Sequence, residues 1–412
     1  MPPILSARPR VVVAPDKFKG SLTASEAAIA LAEGVRQHWP EAQVSTVPLA
    51  DGGEGTIEAA LAAGAEERCA RVTGALGQQV WARWALFRDS SGASATAVIE
   101  SAQASGLDQV HPSPASARAA HSYGCGQLIQ AALNVHATDI VIGLGGSAMT
   151  DGGSGALRAL GLRVLDKVDA PVSLGGIGLL TASRLDASGL DRRLRTVRVR
   201  LAVDVQNPLH GPDGAAHVFA AQKGADPAAQ HELDEALRHW AALLRPMASD
   251  SRFLGPGSGA AGGFPSGFLA LTPARLERGF DLVSNLVRLE HQLEGADLLV
   301  VGEGSMDQQS LQGKAPLAAA LLAAARGIPV VAIAGQMTLT EDELSAAGIR
   351  SAASLLDIAP SMDGAKSEAA RYATQATTEA VQRLTAAPFT ADDRERTQPL
   401  LIPALNRPTN AM

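Results

Sequence analysis

The chain has 412 residues, which is more than one hydrophobic core usually supports, so its length predicts two domains. Hydrophobic residues make up 46% of the chain and charged residues 19%, a composition typical of a globular protein. The formal net charge of −7 argues against a nucleic-acid partner. The sequence shows neither a signal-peptide pattern nor an apolar run near the ~18 residues of a membrane span, so we expect a cytoplasmic protein with no membrane partner.

Short β-branched runs alternate with Ala- and Leu-rich helical patterns along the chain, which indicates an α/β protein. Several of the predicted strands are almost entirely apolar, as expected for parallel strands that are covered on both faces. In chain order, the predicted strands are 10–14, 44–48, 96–100, 139–143, 197–204, 298–302 and 329–334.

Two helices carry start signals that can be read directly. Thr23 and Glu26 form a capping-box pattern ahead of a helix predicted over 24–38, and Thr340 with Glu343 repeats that pattern. Gly327, followed at once by a strand, predicts a helix end. Further helices are predicted over 56–63 and 156–161.

The middle of the chain is richer in turns than its two ends. This contrast predicts a discontinuous α/β domain formed by residues 1–65 and 285–390, with a second α/β domain inserted at 66–284. The stretch 391–412 lacks periodicity, and we expect it to be a flexible tail.

Glycine-rich or acidic loops follow five of the predicted strands, where open α/β sheets bind their ligands. The loop 143–155 combines glycines, which let a ligand approach the backbone, with hydroxyl groups, and the helix after it adds a positive dipole end. A phosphate is therefore the expected ligand. The candidate phosphate-binding residues are Gly145, Gly146, Ser147, Gly152 and Gly153.

The chain matches neither of two familiar phosphate-binding motifs in full. Gly143-x-Gly145-x-x-Ala148 formally matches the dinucleotide-binding pattern, but the helix of that motif begins inside the glycine loop, whereas here it cannot start before about Gly153. The P-loop pattern fails because Lys314 is followed by alanine, although Lys314 can still contact a phosphate as a point charge. A dehydrogenase is therefore the less favoured interpretation of this loop. A nicotinamide-dependent oxidoreductase and a non-catalytic metabolite sensor stay open as alternatives.

Six acidic residues stand at predicted strand ends or in the loops that follow: Asp16, Asp51, Asp151, Asp204, Glu303 and Asp307. A kinase needs carboxylates to hold Mg²⁺ and one carboxylate to accept the hydroxyl proton. Asp151 and Asp307 are the candidates for Mg²⁺. Asp204 is the candidate general base, and Asp16 is the next candidate. Each aspartate could instead cap a helix or form a turn.

The substrate candidates lie at the starts of predicted helices and in neighbouring loops. Lys19 and Ser21 precede the first helix, where a substrate carboxylate would meet both a positive charge and the helix terminus. Asp51 and Asn207 complete the predicted substrate-binding set.

Seven motifs, in this order and spacing, resemble those of the type-1 glycerate kinase family, and the resemblance covers about residues 10–385. They lie at 14–24, 50–56, 142–155, 204–208, 222–224, 259–263 and 302–316. The resemblance implies a flavodoxin-like α/β domain with a second α/β domain inserted, and an active site in the cleft between them. It also implies phosphorylation of D-glycerate by ATP with Mg²⁺, with 2-phosphoglycerate as the expected product.

The chain departs from the family pattern at two places. Lys17 stands where a serine is expected, and Ser305-Met306 replaces a pair that commonly begins with arginine. The sequence leaves the oligomeric state open between a monomer and a homodimer.

Overall fold

The computed structural model describes residues 8–89, 94–249 and 251–386. The predicted flexible tail, 391–412, lies outside these residues. The chain divides into two compact units, of which unit 1 is Met1–Leu49 with Val287–Met412 and unit 2 is Ala50–Leu286. No helix within the described ranges is both long and apolar enough to cross a membrane.

In chain order, the strands of the described residues are β1 (Arg10–Pro15), β2 (Gln43–Thr46), β3 (Glu66–Thr73), β4 (Gln79–Arg88), β5 (Ala95–Glu100), β6 (Asp139–Gly143), β7 (Arg163–Leu165), β8 (Arg184–Asp186), β9 (Arg198–Ala202), β10 (Arg275–Glu277), β11 (Leu298–Met306), β12 (Val330–Met337) and β13 (Ile349–Ser354).

The α-helices of the same residues are α1 (Ala24–His38), α2 (Thr56–Ala62), α3 (Ala102–Ser105), α4 (Pro114–Ala119), α5 (Tyr123–Asn134), α6 (Ser154–Ala159), α7 (Ala215–Phe219), α8 (Pro227–Leu244), α9 (Ala260–Leu271), α10 (Gly279–Leu286), α11 (Leu289–Gln292), α12 (Ala315–Ala324), α13 (Glu341–Ala346), α14 (Met362–Ser367) and α15 (Ala369–Ala386).

Unit 1 is built on a five-stranded sheet in the order β13-β12-β11-β1-β2, with all neighbouring strands parallel. Numbered within the unit, this order is 2-1-3-4-5, which is that of flavodoxin-like sheets. Val11, Val13 and Val300 of the central strands pack against α1 and α15, while α12 packs against β11, β1 and β12. The predicted fold class, an α/β protein with a flavodoxin-like parallel sheet, is confirmed.

Both capping boxes predicted from the sequence are present. The Thr23 side chain accepts the Glu26 N–H while Glu26 binds back to Thr23 at the start of α1, and Thr340 with Glu343 does the same for α13. Such a box satisfies two N–H groups that the first helical turn leaves without partners. The α1 prediction, 24–38, matches the observed helix.

Unit 2 contains a six-stranded sheet in the order β10-β9-β6-β5-β4-β3. The first four strands of this order are parallel, and β4 and β3 add an antiparallel hairpin at one edge. The sequence did not predict this hairpin, because β3 is mostly polar and exposed and lacks the apolar run of a core strand. Its residues become a strand through backbone pairing with β4.

The first boundary between the units falls at Leu49 rather than at residue 65. Helix α2 explains this position, because Ile57 and Ala60 pack with Val98 and Val141 of the six-stranded sheet. The segment that begins at Ala50 therefore shares its core with unit 2.

A buried ion pair joins two neighbouring strands of unit 2. The Asp139 side chain at the start of β6 is 4% exposed, and Arg200 of β9 donates to its two oxygens at 3.0 and 2.6 Å. Arg198 lies 3.4 Å from the same carboxylate, but its own side chain is 67% exposed. The two arginines therefore offer a matched pair of substitutions.

We expect Arg200→Met to lower the free energy of unfolding by about 3–5 kcal/mol, because it leaves a buried carboxylate without its main partner. Arg198→Met removes the same charge at an exposed position and should cost only about 0–1 kcal/mol. Chemical denaturation of both variants measures the difference. Equal losses would contradict the assignment of Arg200 as the principal partner.

Candidate active site

Two acidic residues stand side by side at the carboxyl edge of the unit 1 sheet. Asp16 follows β1, its N–H donates to the Gly302 carbonyl of β11 at 2.8 Å, and Glu303 is the next residue of β11. The residues Asp16 and Glu303 are 8% and 6% exposed. Strands β1 and β11 border the point where a 2-1-3-4-5 sheet changes direction, which is where such sheets bind ligands.

Glu303 has an incomplete set of partners for a buried carboxylate. Its Oε2 lies 3.3 Å from Lys314 Nζ, whereas its Oε1 is buried and has no hydrogen-bond partner in the part of the chain that the structure describes. Burial raises the pKa of the Glu303 carboxyl, and the nearby Lys314 only partly opposes this. Sequence reasoning placed Glu303 at a strand end but gave it no role.

The predicted residues Asp307 and Lys314 lie in the loop between β11 and α12. Asp307 Oδ1 accepts the Gln309 and Ser310 N–H groups at 2.9 and 3.3 Å. Burial raises the pKa of Asp307, but these N–H groups, Lys314 and the Ser305 hydroxyl outweigh it, so the pKa lies below its usual range. Asp307 is close enough to raise the pKa of Glu303. The structure therefore groups two carboxylates and one ammonium here.

Lys19 and Ser21, the predicted substrate residues of unit 1, line one cavity. The Ser21 hydroxyl donates to the Phe18 carbonyl at 3.0 Å, which leaves its lone pairs available. The Lys19 residue is exposed. The sequence placed both residues ahead of α1, and the structure brings them to the same side of that loop.

In unit 2 the loop 143–155 packs directly on the loop that follows Asp51. The Leu144 N–H donates to the Gly52 carbonyl at 3.1 Å. A Cβ on Gly145 would lie 2.7 Å from Gly53 Cα, closer than real Cβ atoms approach. Gly145 is therefore a glycine because two backbones meet there, although its other side is exposed.

Gly146 is the residue of this loop that is best suited to admit a ligand. It is exposed, and its φ of +70° is a conformation that residues with a Cβ rarely adopt. A Cβ there would meet only Ala102 Cβ, at 3.5 Å. The neighbouring Ser147 is 7% exposed, so little of its surface is accessible to a ligand.

The predicted phosphate contacts at Gly152 and Gly153 are corrected by the structure. Both residues are buried, a Cβ on Gly152 would overlap the Trp240 ring, and a Cβ on Gly153 would lie 2.5 Å from the Phe264 carbonyl. Trp240 Nε1 also donates to the Gly152 carbonyl at 3.0 Å. Close packing accounts for both glycines, and we withdraw them from the phosphate site. Helix α6 begins at Ser154, consistent with a start no earlier than about Gly153.

Asp151 is corrected for a related reason. It is 0% exposed, and its Oδ2 accepts the Ser122 N–H, the Ser122 hydroxyl and the Gly155 N–H at 2.9, 2.9 and 3.1 Å. Its Oδ1 accepts the Gly153 N–H at 3.1 Å. A carboxylate with this set of donors ties the loop to the start of α5 and has little capacity left for a cation. We therefore withdraw Asp151 as a Mg²⁺ ligand.

Asp204 follows β9 and is exposed, yet it is surrounded by enough protein to lose part of its hydration. The pKa of Asp204 is raised to about 6, mainly by burial and also by the negative charge of Asp51, while the Gly279 N–H, which donates to Oδ1 at 3.0 Å, acts against the rise. Asp51 Oδ1 accepts the Gly53 N–H at 3.2 Å. The structure thus places two predicted carboxylates of unit 2 in electrostatic contact.

Asn207 lies three residues after Asp204, in the same loop. Its side-chain amide donates to the Asp213 carbonyl at 2.8 Å, an interaction that holds the loop closed. The Asn207 carbonyl also accepts the Gly259 N–H at 2.9 Å. A role in substrate binding stays a prediction for this residue.

Lys223 is a charged residue that sequence reasoning did not assign. It is 3% exposed, and its Nζ donates to the Met149 carbonyl of the glycine loop at 2.6 Å. Burial lowers the pKa of Lys223 to about 8, against the attraction of Asp151. The available signal was the motif Gln222-Lys223-Gly224, which gives no indication that the lysine is buried beneath the loop.

Among the residues that the structure describes, no group of three or more His, Cys, Asp or Glu side chains is placed to hold a metal ion. Any divalent cation would therefore need oxygen ligands beyond these side chains.

Comparison with known proteins gives consistent matches. A family model described as "Glycerate kinase family" matches residues 11–385. A "Glycerate 2-kinase" of Escherichia coli (strain K12) is 44% identical over 331 residues, which are 80% of this chain and 86% of that protein. A "Glycerate kinase" of Halalkalibacterium halodurans is 40% identical over 356 residues, 86% and 93% of the two chains. The crystal structure of the "putative glycerate kinase 2" from Salmonella typhimurium LT2 superposes with a TM-score of 0.78 at 38% identity, covering 92% of this chain and 99% of that one.

Proposed function

The chain belongs to the glycerate kinase family of phosphotransferases, and from this premise we propose that it transfers the γ-phosphoryl group of ATP to the C2 hydroxyl of D-glycerate, giving 2-phosphoglycerate and ADP. The observation that carries the proposal is the accessible Asp204 carboxylate with a pKa of about 6. Such a carboxylate is ionised at neutral pH and is still basic enough to accept a hydroxyl proton.

In the proposed reaction the substrate O–H proton moves to the Asp204 carboxylate as the oxygen attacks the γ-phosphorus. The bond between that phosphorus and the bridging oxygen breaks, and ADP leaves with the electron pair. The transition state of phosphoryl transfer is loose, so the protein contributes mainly by positioning the reactants and stabilising their charge. Asp51 acts on this step by raising the pKa of Asp204. Asp16 stays the second candidate for the base.

The exposed backbone at Gly145 and Gly146, with Ser147, is proposed to contact the phosphates of the nucleotide. Lys223 is buried beneath the same loop, where its ammonium donates to the Met149 carbonyl at 2.6 Å. Lys314, at the start of α12, is proposed to contact a phosphate as a point charge while Glu303 holds its ammonium.

The residues of unit 1 fit a divalent cation. Glu303 Oε1 is a buried carboxylate oxygen without a hydrogen-bond partner among the described residues, and Asp307 lies near enough to perturb the Glu303 pKa. We propose that these two side chains would hold Mg²⁺. When bound, Mg²⁺ neutralises charge on the transferring phosphates. The proposal keeps Asp307 and replaces Asp151 by Glu303.

The nicotinamide-dependent alternative has less support. Family membership argues for phosphoryl transfer, and α6 starts at Ser154, after the glycine loop, whereas the dinucleotide motif needs its helix to begin within that loop. A binding protein without catalysis would have no evident use for an accessible carboxylate with a pKa near 6.

We expect the purified chain to release ADP from ATP in the presence of D-glycerate, and to stop when EDTA removes divalent cations. Coupled ADP detection over a panel of small hydroxy acids measures this, and ³¹P and ¹³C NMR of the product distinguishes the 2-phosphate from the 3-phosphate. A change in nicotinamide absorbance without ADP release would overturn the proposal.

The phosphate loop is tested by Gly146→Ala, with Gly77→Ala as a matched control. Both glycines have positive φ, of +70° and +94°, and neither position crowds a Cβ. The backbone strain should cost about 1–2 kcal/mol in each variant. Only Gly146→Ala should raise the KM for ATP, by roughly tenfold or about 1.4 kcal/mol of binding. An equal KM in both variants would remove Gly146 from the site.

The base is tested by the pH profile of Asp204→Asn. Because the base acts only when ionised, kcat/KM of the wild-type enzyme should fall as the pH drops below about 6 and should level off above it. Asp204→Asn should turn over roughly 10²–10⁴-fold more slowly and lose this acidic limb, with little change in KM. If the limb persists with the same midpoint in the variant, another carboxylate is the base.

A further inference from the structure

A cavity of about 220 Å³ opens at the carboxyl end of the unit 1 sheet. The loop after β1 lines it with Lys19 and Ser21, the end of β12 contributes Gln336, and α14 contributes Lys366. Elements from three places in the sequence therefore meet around one space. It lies at the sheet edge where parallel α/β folds bind their ligands.

The charges around this cavity are unbalanced. The side chains of Lys19 and Lys366 make no ion pair or hydrogen bond with any other residue in the described ranges, and no carboxylate is among the lining residues. Both lysines are exposed, and an anion in this cavity would be attracted to both positive charges. The Ser21 hydroxyl and the Gln336 amide add hydrogen-bonding groups to the same wall.

The floor of the cavity and its size restrict the anion. Phe18 and Leu355, each 1% exposed, form apolar parts of the lining that suit a short carbon chain. A volume of about 220 Å³ is below the ~300–1,000 Å³ of pockets that hold drug-sized ligands. A three-carbon acid fits this space better than a nucleotide does.

We propose that this cavity binds the carboxylate of the hydroxy-acid substrate, and that Lys366 and Gln336 are binding residues for it in addition to Lys19 and Ser21. The inference rests on the proposed function for the identity of the acid. Lys366 reaches the cavity from α14, more than 300 positions along the chain from Lys19, so no local motif connects the two residues.

The test is Lys366→Met in the full chain, with isothermal titration calorimetry of D-glycerate and steady-state kinetics. Loss of a charge-assisted contact should weaken glycerate binding about ten- to a hundredfold. The KM for ATP should stay within about twofold of the wild-type value, because Lys366 is proposed to contact glycerate. The variant should also stay folded, because an exposed lysine contributes little to folding. Lys366→Arg keeps the charge and should recover part of the affinity.

Lys167→Met is the matched control, because it removes the same charge from an exposed lysine of unit 2. The methyl ester of D-glycerate, which has no negative charge, should bind Lys366→Met and the wild-type protein equally. Inorganic phosphate separates a carboxylate subsite from a phosphate subsite, and its affinity should change less than that of glycerate.

Three results would overturn the inference: unchanged glycerate affinity in Lys366→Met, a loss no larger than that of Lys167→Met, or a rise confined to the KM for ATP. An ester that loses as much affinity as glycerate would also overturn it. Failure of the proposed function is distinguishable, because wild-type protein that binds glycerate in the calorimeter without releasing ADP would keep the subsite and lose the kinase assignment.

Discussion

The candidate catalytic groups of unit 2 depend on a contact between backbones that only glycine allows. Gly145 has no room for a Cβ because it packs on Gly53, Gly52 has none because it packs on Gly279, and Gly279 has none because it lies against the Asp51 carbonyl. The Gly279 N–H then donates to Asp204. Three glycines far apart in sequence thus bring two carboxylates close enough for one to raise the pKa of the other. A larger residue at any of them would move the acids as well as the loops.

The charges close to each site, rather than the net charge of the chain, determine which ligands that site attracts. The chain carries a net charge of −7, yet Lys223 is buried under the glycine loop and Lys19 and Lys366 share a cavity without a carboxylate in its lining. Fields from exposed charges are screened over about 8–10 Å at physiological ionic strength. An anionic substrate approaching these lysines therefore responds to the few groups within that distance. The net negative charge argues against a nucleic-acid partner, but it does not argue against small anions.

Local signals in the sequence predicted the fold class, whereas they did not show which loop residues are accessible to a ligand. The capping boxes at Thr23 and Thr340 involve residues three positions apart, so a short window contains the whole interaction. Asp151 and Gly152 were misread because residue type shows that a loop is polar and glycine-rich but not which of its parts faces the interior. The partner of Gly152 is Trp240 on α8, which local reading of the loop could not connect to it. The sequence located seven strands, although β11 and β12 extend to Met306 and Met337, beyond their predicted ends, and it did not show how deeply each loop residue is buried.

The two carboxylates with raised pKa values owe the shift to the same cause but suit different tasks. Glu303 is buried and pairs with Lys314 through one oxygen, while its other oxygen has no hydrogen-bond partner among the described residues and is available to a cation. Asp204 is exposed, so water can remove a proton from it after each turnover. A base that is buried beside an ammonium could accept a proton only by giving up that ion pair, which is costly in a region of low dielectric constant. Accessibility, rather than the size of the pKa shift, is therefore the reason to assign the base to Asp204 and the metal to Glu303.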